Sequence, residues 1–129
     1  SMADSAAAMT GGCLCGGVRY VLKGELRGVV NCFCRQCRRT SGHHVAATRV
    51  DGDSFHLLDA DTLSWYRSSA EAERGFCHRC GGNLFWRRLD SSGVSVMAGT
   101  LDVPTALSTV ENIHVEDRSD YHELPSLTG

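Results

Sequence analysis

Seven cysteines fall into three tight groups, Cys13-Leu14-Cys15, Cys32-Phe33-Cys34-Arg35-Gln36-Cys37 and Cys77-His78-Arg79-Cys80. Cysteines one or two residues apart are too close for easy mutual disulfides, yet their sulfurs can converge on one ion. Short C-x-C and C-x-x-C clips separated by long intervals are the usual form of a tetrahedral thiolate zinc site. Two clips supply four ligands and a closed site. A group of three leaves a fourth position open, and an open position is where zinc does chemistry. A domain of this length can also bury some apolar core beside such sites.

Spacing alone does not fix which clips pair. The middle group holds three sulfurs within six residues, so one loop can place Cys32, Cys34 and Cys37 on a single ion. Cys13, Cys15, Cys77 and Cys80 then combine across the chain into a four-sulfur site that ties the first hairpin to the later sheet. A structural zinc contributes on the order of 10 kcal/mol to folding, comparable to the whole stability of a small domain. His43 or His44 is the alternative fourth ligand that would close the middle site.

A length of 129 residues fits one domain, and 42% hydrophobic content is ordinary for a globular chain. No apolar run is long enough for a transmembrane helix. The start, Ser1-Met2-Ala3-Asp4-Ser5-Ala6-Ala7-Ala8-Met9, lacks the basic and apolar regions of a secretory signal. Residues 1–10 read as a disordered or tag-derived N-terminus, 11–123 as the zinc-binding domain and 124–129 as a C-terminal tail. Clustered thiols without an export signal point to a reducing, cytoplasmic setting. The formal charge is −2, and seven thiolates with two Zn²⁺ would make it more negative, so a nucleic-acid partner is not expected.

The body reads as short strands between glycine and polar turns. Val18, Tyr20 and Leu22 alternate onto one face. Similar runs are 45–50, 55–58, 63–66, 84–86 and 94–98, and Ile113-His114-Val115 is a candidate last strand. One helical turn is expected over 35–41, and 100–112, which carries Pro104, reads as a loop. The expected fold class is all-β.

Around the middle group, Arg35, Arg38 and Arg39 can screen thiolates or hold carboxylates of an acidic thiol. Asn31 and Gln36 are candidate donors to sulfur. If 43–44 is extended, His43 and His44 face opposite sides, and at most one points at the metal as ligand or proton shuttle. His56, His114 and His122 show no partner spacing, and Trp65, Phe76, Phe85 and Trp86 read as core. Three thiolates on Zn²⁺ carry a net charge of −1, which blunts Lewis acidity and favours thiol handling over hydrolysis.

The runs from Gly12 to Tyr20, Cys32 to Arg39 with Gly42, and Phe76 to Gly81 with Leu84 resemble the glutathione-dependent formaldehyde-activating enzyme family, which also includes centromere protein V. The run from Ile113 to Tyr121 is similar to that family's final strand and tail, although Tyr121 stands where tryptophan is frequent. The resemblance implies several small coiled β-sheets, the β-tent, stapled by zinc. It implies two Zn²⁺ per chain, one structural on Cys13, Cys15, Cys77 and Cys80. The other is reactive, on Cys32, Cys34 and Cys37, which become the expected catalytic residues. The implied activity is that of a carbon–sulfur lyase joining formaldehyde to glutathione as S-hydroxymethylglutathione. The alternative is a non-catalytic zinc-stabilised binding module of the centromere-protein type, but no basic block exceeds Arg38-Arg39. A redox role for Cys77-His78-Arg79-Cys80 lacks the surrounding βαβ pattern.

Overall fold

The computed structural model describes residues 8–129, and the reading of residues 1–7 lies outside them. Among the described residues the fold is mainly β, with ten strands in two sheets. The smaller sheet has the order β1-β2-β5, formed by Met9–Gly12, Val18–Leu22 and Phe55–Ala60. The larger has the order β10-β3-β4-β9-β8-β7-β6. Its strands are Thr109–Ile113, Val29–Cys32, Val45–Val50, Val94–Met97, Asn83–Arg88, Ala72–Cys77 and Leu63–Arg67. All pairings are antiparallel except β10 with β3, which run parallel. An α-helix, α1 (Arg35–Ser41), follows the middle cysteine loop. Among the described residues no helix is long and apolar enough to cross a membrane.

β2 shows how the pattern becomes structure. Val18, Tyr20 and Leu22 are fully buried while Arg19 and Val21 are half-exposed, the period-two alternation of a strand with one wet face. Those three side chains pack against Leu84, Phe85, Val94 and Val96 of the large sheet. Phe85 is the hub, with ring centroids 5.4 Å from Tyr20, 4.9 Å from Phe55 and 5.9 Å from Trp65. The Tyr20 hydroxyl meets Thr100 Oγ1 at 2.7 Å, so the core's one phenol is not left unpaired.

On β8 the next residue, Trp86, turns to the opposite face and joins a second, smaller core of Cys37, Val45, Ala47 and Met97. That cluster lies directly beneath the middle cysteines. The fold thus has two apolar regions, one between the sheets and one under the thiol loop.

Several expectations need correction. Ile113-His114-Val115 is not a strand: β10 ends at Ile113, His114 has φ 54°, and Val115–Asp117 is a 3₁₀ turn. The expected loop over 100–112 contains most of β10. The strands β1, β3 and β7 had no counterpart in the sequence reading. β1 begins at Met9. Residues 128–129 donate backbone hydrogen bonds to Thr109 O at 2.9 Å each.

Candidate metal centre and the cavity beside it

The outer clips meet first. Cys13 and Cys15 flank the turn after β1, Cys77 ends β7 and Cys80 closes the turn that follows. Gly16 and Gly81, at φ 81° and 79°, supply the left-handed turns that fold each clip back. The four sulfurs lie within 4.8 Å of one another, with Cys13–Cys15 at 3.7 Å and Cys15–Cys77 at 3.6 Å. Tetrahedral zinc with sulfur at about 2.3 Å requires sulfurs about 3.8 Å apart, so this donor set fits the ion.

Donors converge on the same sulfurs. The Val18 N–H reaches Cys13 Sγ at 3.3 Å. The Arg79 and Cys80 N–H groups reach Cys77 Sγ at 3.4 and 3.3 Å, Thr62 Oγ1 meets it at 3.1 Å, and Arg79 Nε reaches Cys15 at 3.3 Å. Burial opposes ionisation of Cys77, but the Thr62 hydroxyl and these N–H groups outweigh it and hold the thiol down at about 5. The knuckle is built for thiolates.

In the middle group, Cys32 ends β3, Cys34 is the N-cap of α1 and Cys37 lies in its first turn. Cys34 Sγ accepts the Cys37 N–H at 3.4 Å, which fixes both sulfurs on one side of the turn. The three sulfurs lie within 4.8 Å of one another, and among the described residues no fourth His, Cys, Asp or Glu ligand joins them. Its neighbour Cys37 draws Cys32 below the ordinary thiol value, while Cys37 is pushed up by Cys32 and by its own burial. The set fits zinc as three ligands of a four-coordinate ion.

Beside these sulfurs lies a cavity of about 360 Å³. Its wall is one face of the large sheet, because the residues that line it recur at every second position: Val45, Ala47 and Arg49; Ser95 and Met97; Trp86 and Arg88; Ala72 and Arg74. One row runs across four strands through the paired residues Arg49, Ser95, Trp86 and Arg74. Arg74 is only 5% exposed, and its two terminal nitrogens lie 3.9 and 3.8 Å from Cys37 Sγ. It also donates to Gln36 Oε1 at 3.4 Å, while its Nε has no partner among the described residues. A buried guanidinium with no carboxylate is costly unless negative charge lies nearby, and the thiolate cluster is that charge.

The arginines expected at the site are elsewhere. Among Arg35, Arg38 and Arg39, none lines the cavity, and Arg38 instead donates to Asp117 O at 3.1 Å. Arg27, Arg49 and Arg74 line it, and sequence reasoning missed them. The available signal was a charged residue at an inward position of a strand, as in Val45-Ala46-Ala47-Thr48-Arg49. Asn31 does not serve sulfur either: it donates to Asn112 Oδ1 at 3.0 Å across the parallel strand pair. Gln36 touches Ser68 O and Arg74. Trp86, read as core, is also cavity wall.

His43 and His44 do not face opposite sides. They precede β4 in an irregular turn and their rings lie 4.3 Å apart, grouped with His122 and Tyr121. The His43 Nδ1 hydrogen-bonds the Tyr121 hydroxyl. Burial, then His43 and His122, push His44 below its usual value. Phe33 separates this stack from the cysteines, its ring 4.8 Å from His44 and 5.6 Å from His122. His122 was thus a partner that no local spacing revealed.

The sequence matches the family of the glutathione-dependent formaldehyde-activating enzyme over residues 8–117. A Halomonas elongata protein provisionally named as a glutathione-dependent formaldehyde-activating enzyme is 29% identical over 133 residues, covering 92% of this chain and 82% of that protein. The crystal structure of a Rhodobacter sphaeroides protein superposes with a TM-score of 0.66 at 25% identity, covering 81% of this chain and 99% of the other. With the family match spanning all three cysteine groups, the chain belongs to the glutathione-dependent formaldehyde-activating enzyme family.

Proposed function

We propose that the cavity beside Cys32, Cys34 and Cys37 is the active site of a zinc-dependent carbon–sulfur lyase-type enzyme. It joins an aldehyde of formaldehyde size to a small thiol, glutathione by family membership, and reverses the reaction. In the forward direction a sulfur–carbon bond forms at the carbonyl carbon, the thiol proton ends on the carbonyl oxygen, and nothing is oxidised. The observation that carries this reading is the contrast between the two sulfur sets. Four close on one another, whereas three stop short of a full shell at the edge of a lined cavity.

Cys32, Cys34 and Cys37 would hold the catalytic zinc, and Cys13, Cys15, Cys77 and Cys80 the structural one. Bound there, zinc supplies acidification of a thiol at neutral pH. The chain's own residues do the rest. Arg74 balances negative charge beside Cys37 at 3.8 Å. Val45, Ala47, Met97 and Trp86 keep the floor apolar, so charged groups in the cavity act with little screening by water. The N–H of Cys37 holds the Cys34 sulfur in place through the helix cap.

Elemental analysis together with the rate of S-hydroxymethylglutathione formation tests this. Two zinc ions per chain and an accelerated rate are expected, with Cys34→Ser losing one ion and the acceleration. Two ions without acceleration in the unmodified protein would sink the enzyme reading and leave a zinc-stabilised binding module.

A further inference from the structure

Arg27 and Arg49 form the far wall of the cavity from Arg74. The two segments are tied at the backbone, the Arg27 N–H donating to Arg49 O at 3.2 Å, and Arg27 Nη2 donates to Ala47 O at 3.1 Å. Arg49 lies against Gly93, where a Cβ would fall 2.3 Å from its Nη2, and reaches Ser91 Oγ at 3.5 Å. Arg49 is half-buried, and Arg27 is exposed beside it. Among the described residues neither has a carboxylate within salt-bridge distance, whereas Arg19, Arg87 and Arg88 are each paired. Burial and then the Arg49 charge push Arg27 below its usual value, with Glu111 opposing weakly from beyond contact. Two adjacent, anchored and unneutralised guanidiniums at a cavity mouth lack an anion.

We propose that Arg27 and Arg49 are the specificity-determining anchor for a carboxylate of the thiol substrate, held at a fixed distance from the reacting sulfur. This rests on the reading of the three-cysteine cavity as the thiol site. The row Arg49–Ser95–Trp86–Arg74 crosses three strand intervals, about 14 Å between its end backbones. That span, on the order of 10 Å once side-chain length is allowed for, is the reach of a short peptide rather than of a two-carbon thiol. Trp86 lies between, offering an apolar floor for the linking atoms. A planar fork of N–H donors suits a carboxylate better than a lysine would. The substrate class selected is an extended thiol carrying a carboxylate remote from sulfur.

The test uses S-methylglutathione, which has the carboxylates but cannot react, and its diester, which lacks them. Calorimetric binding to the zinc-loaded protein is expected to be about 10-fold tighter for the acid than for the diester, with Arg49→Gln erasing the difference and Arg49→Lys restoring part of it. Equal binding of acid and diester by the unmodified protein, no binding of either, or a preference that survives in Arg49→Gln would overturn the proposal. A preference for the acid in a protein that does not accelerate adduct formation would remove the lyase reading and leave the anchor standing. Acceleration equal for glutathione and 2-mercaptoethanol would do the opposite.

Discussion

Replacing Arg74 with methionine separates two electrostatic states of the three-cysteine site. Arg74 is 5% exposed, has no carboxylate partner among the described residues, and lies 3.8 Å from Cys37 Sγ. Three thiolates with one divalent cation leave a net charge of −1. A full charge at about 4 Å in surroundings of effective dielectric near 20 is worth about 4 kcal/mol. That charge is spread over three sulfurs of which Cys37 is the near one, so the expected loss on Arg74→Met is about 2–3 kcal/mol. Since 1.4 kcal/mol is a factor of ten, metal affinity at that site falls on the order of 10²-fold. The assay is a competitive chelator titration that resolves the two ions, followed by thermal melts of the loaded and stripped protein. The melts should move in opposite directions. With the ion present, Arg74→Met loses a favourable partner. With the thiols protonated and the ion stripped, it removes an uncompensated buried cation and the protein melts higher. Unchanged affinity for the second ion, or a loaded variant that melts higher, would refute the argument that this guanidinium balances the thiolate charge.

Phe85→Ala removes the fully buried hub of the aromatic cluster and is expected to cost about 4 kcal/mol by urea denaturation, with the metal count of the surviving folded fraction unchanged. Burial raises the Tyr20 phenol to about 12, above its unfolded value near 10. The folded state thus favours the neutral form, and stability intact below pH 10 is lost as pH rises toward 12, by about 2–3 kcal/mol. Tyr20→Phe should flatten that alkaline slope in pH-dependent melts. Gly17→Ala places a Cβ 2.3 Å from Thr62 Oγ1, the hydroxyl that holds the Cys77 sulfur. It should weaken retention of the first zinc in chelator competition, and equal retention would detach Thr62 from that site.

What was legible in the sequence was what is local. The three cysteine groups declare themselves by spacing, and the turns that shape them come from adjacent glycines. β2 alternates cleanly, since it has one apolar face. β7 did not, because a strand between two neighbours with both faces covered loses the two-residue rhythm: Ala72, Arg74, Gly75 and Cys77 are all buried. β3 was hidden by the cysteines it delivers. The cavity arginines were invisible because Arg27, Arg49 and Arg74 come together only when β4, β9, β8 and β7 are laid side by side. The same holds for the meeting of His122 with His43 and His44, nearly eighty residues apart. Helix α1, by contrast, was readable from the single short stretch it occupies.

The parallel pairing of β10 with β3 has a consequence in time. Thr109 to Ile113 lie beside Val29 to Cys32, and Ile113 and His114 complete the wall beside the middle sulfurs. Synthesis at about 5–20 residues per second puts roughly 4–15 s between the appearance of Cys32 and that of Thr109. Throughout that interval the nascent chain carries an unsatisfied strand edge next to three accessible thiols. Shielding of the reactive loop is therefore acquired late, and the growing polypeptide is exposed to oxidation and edge-to-edge association until β10 docks on β3.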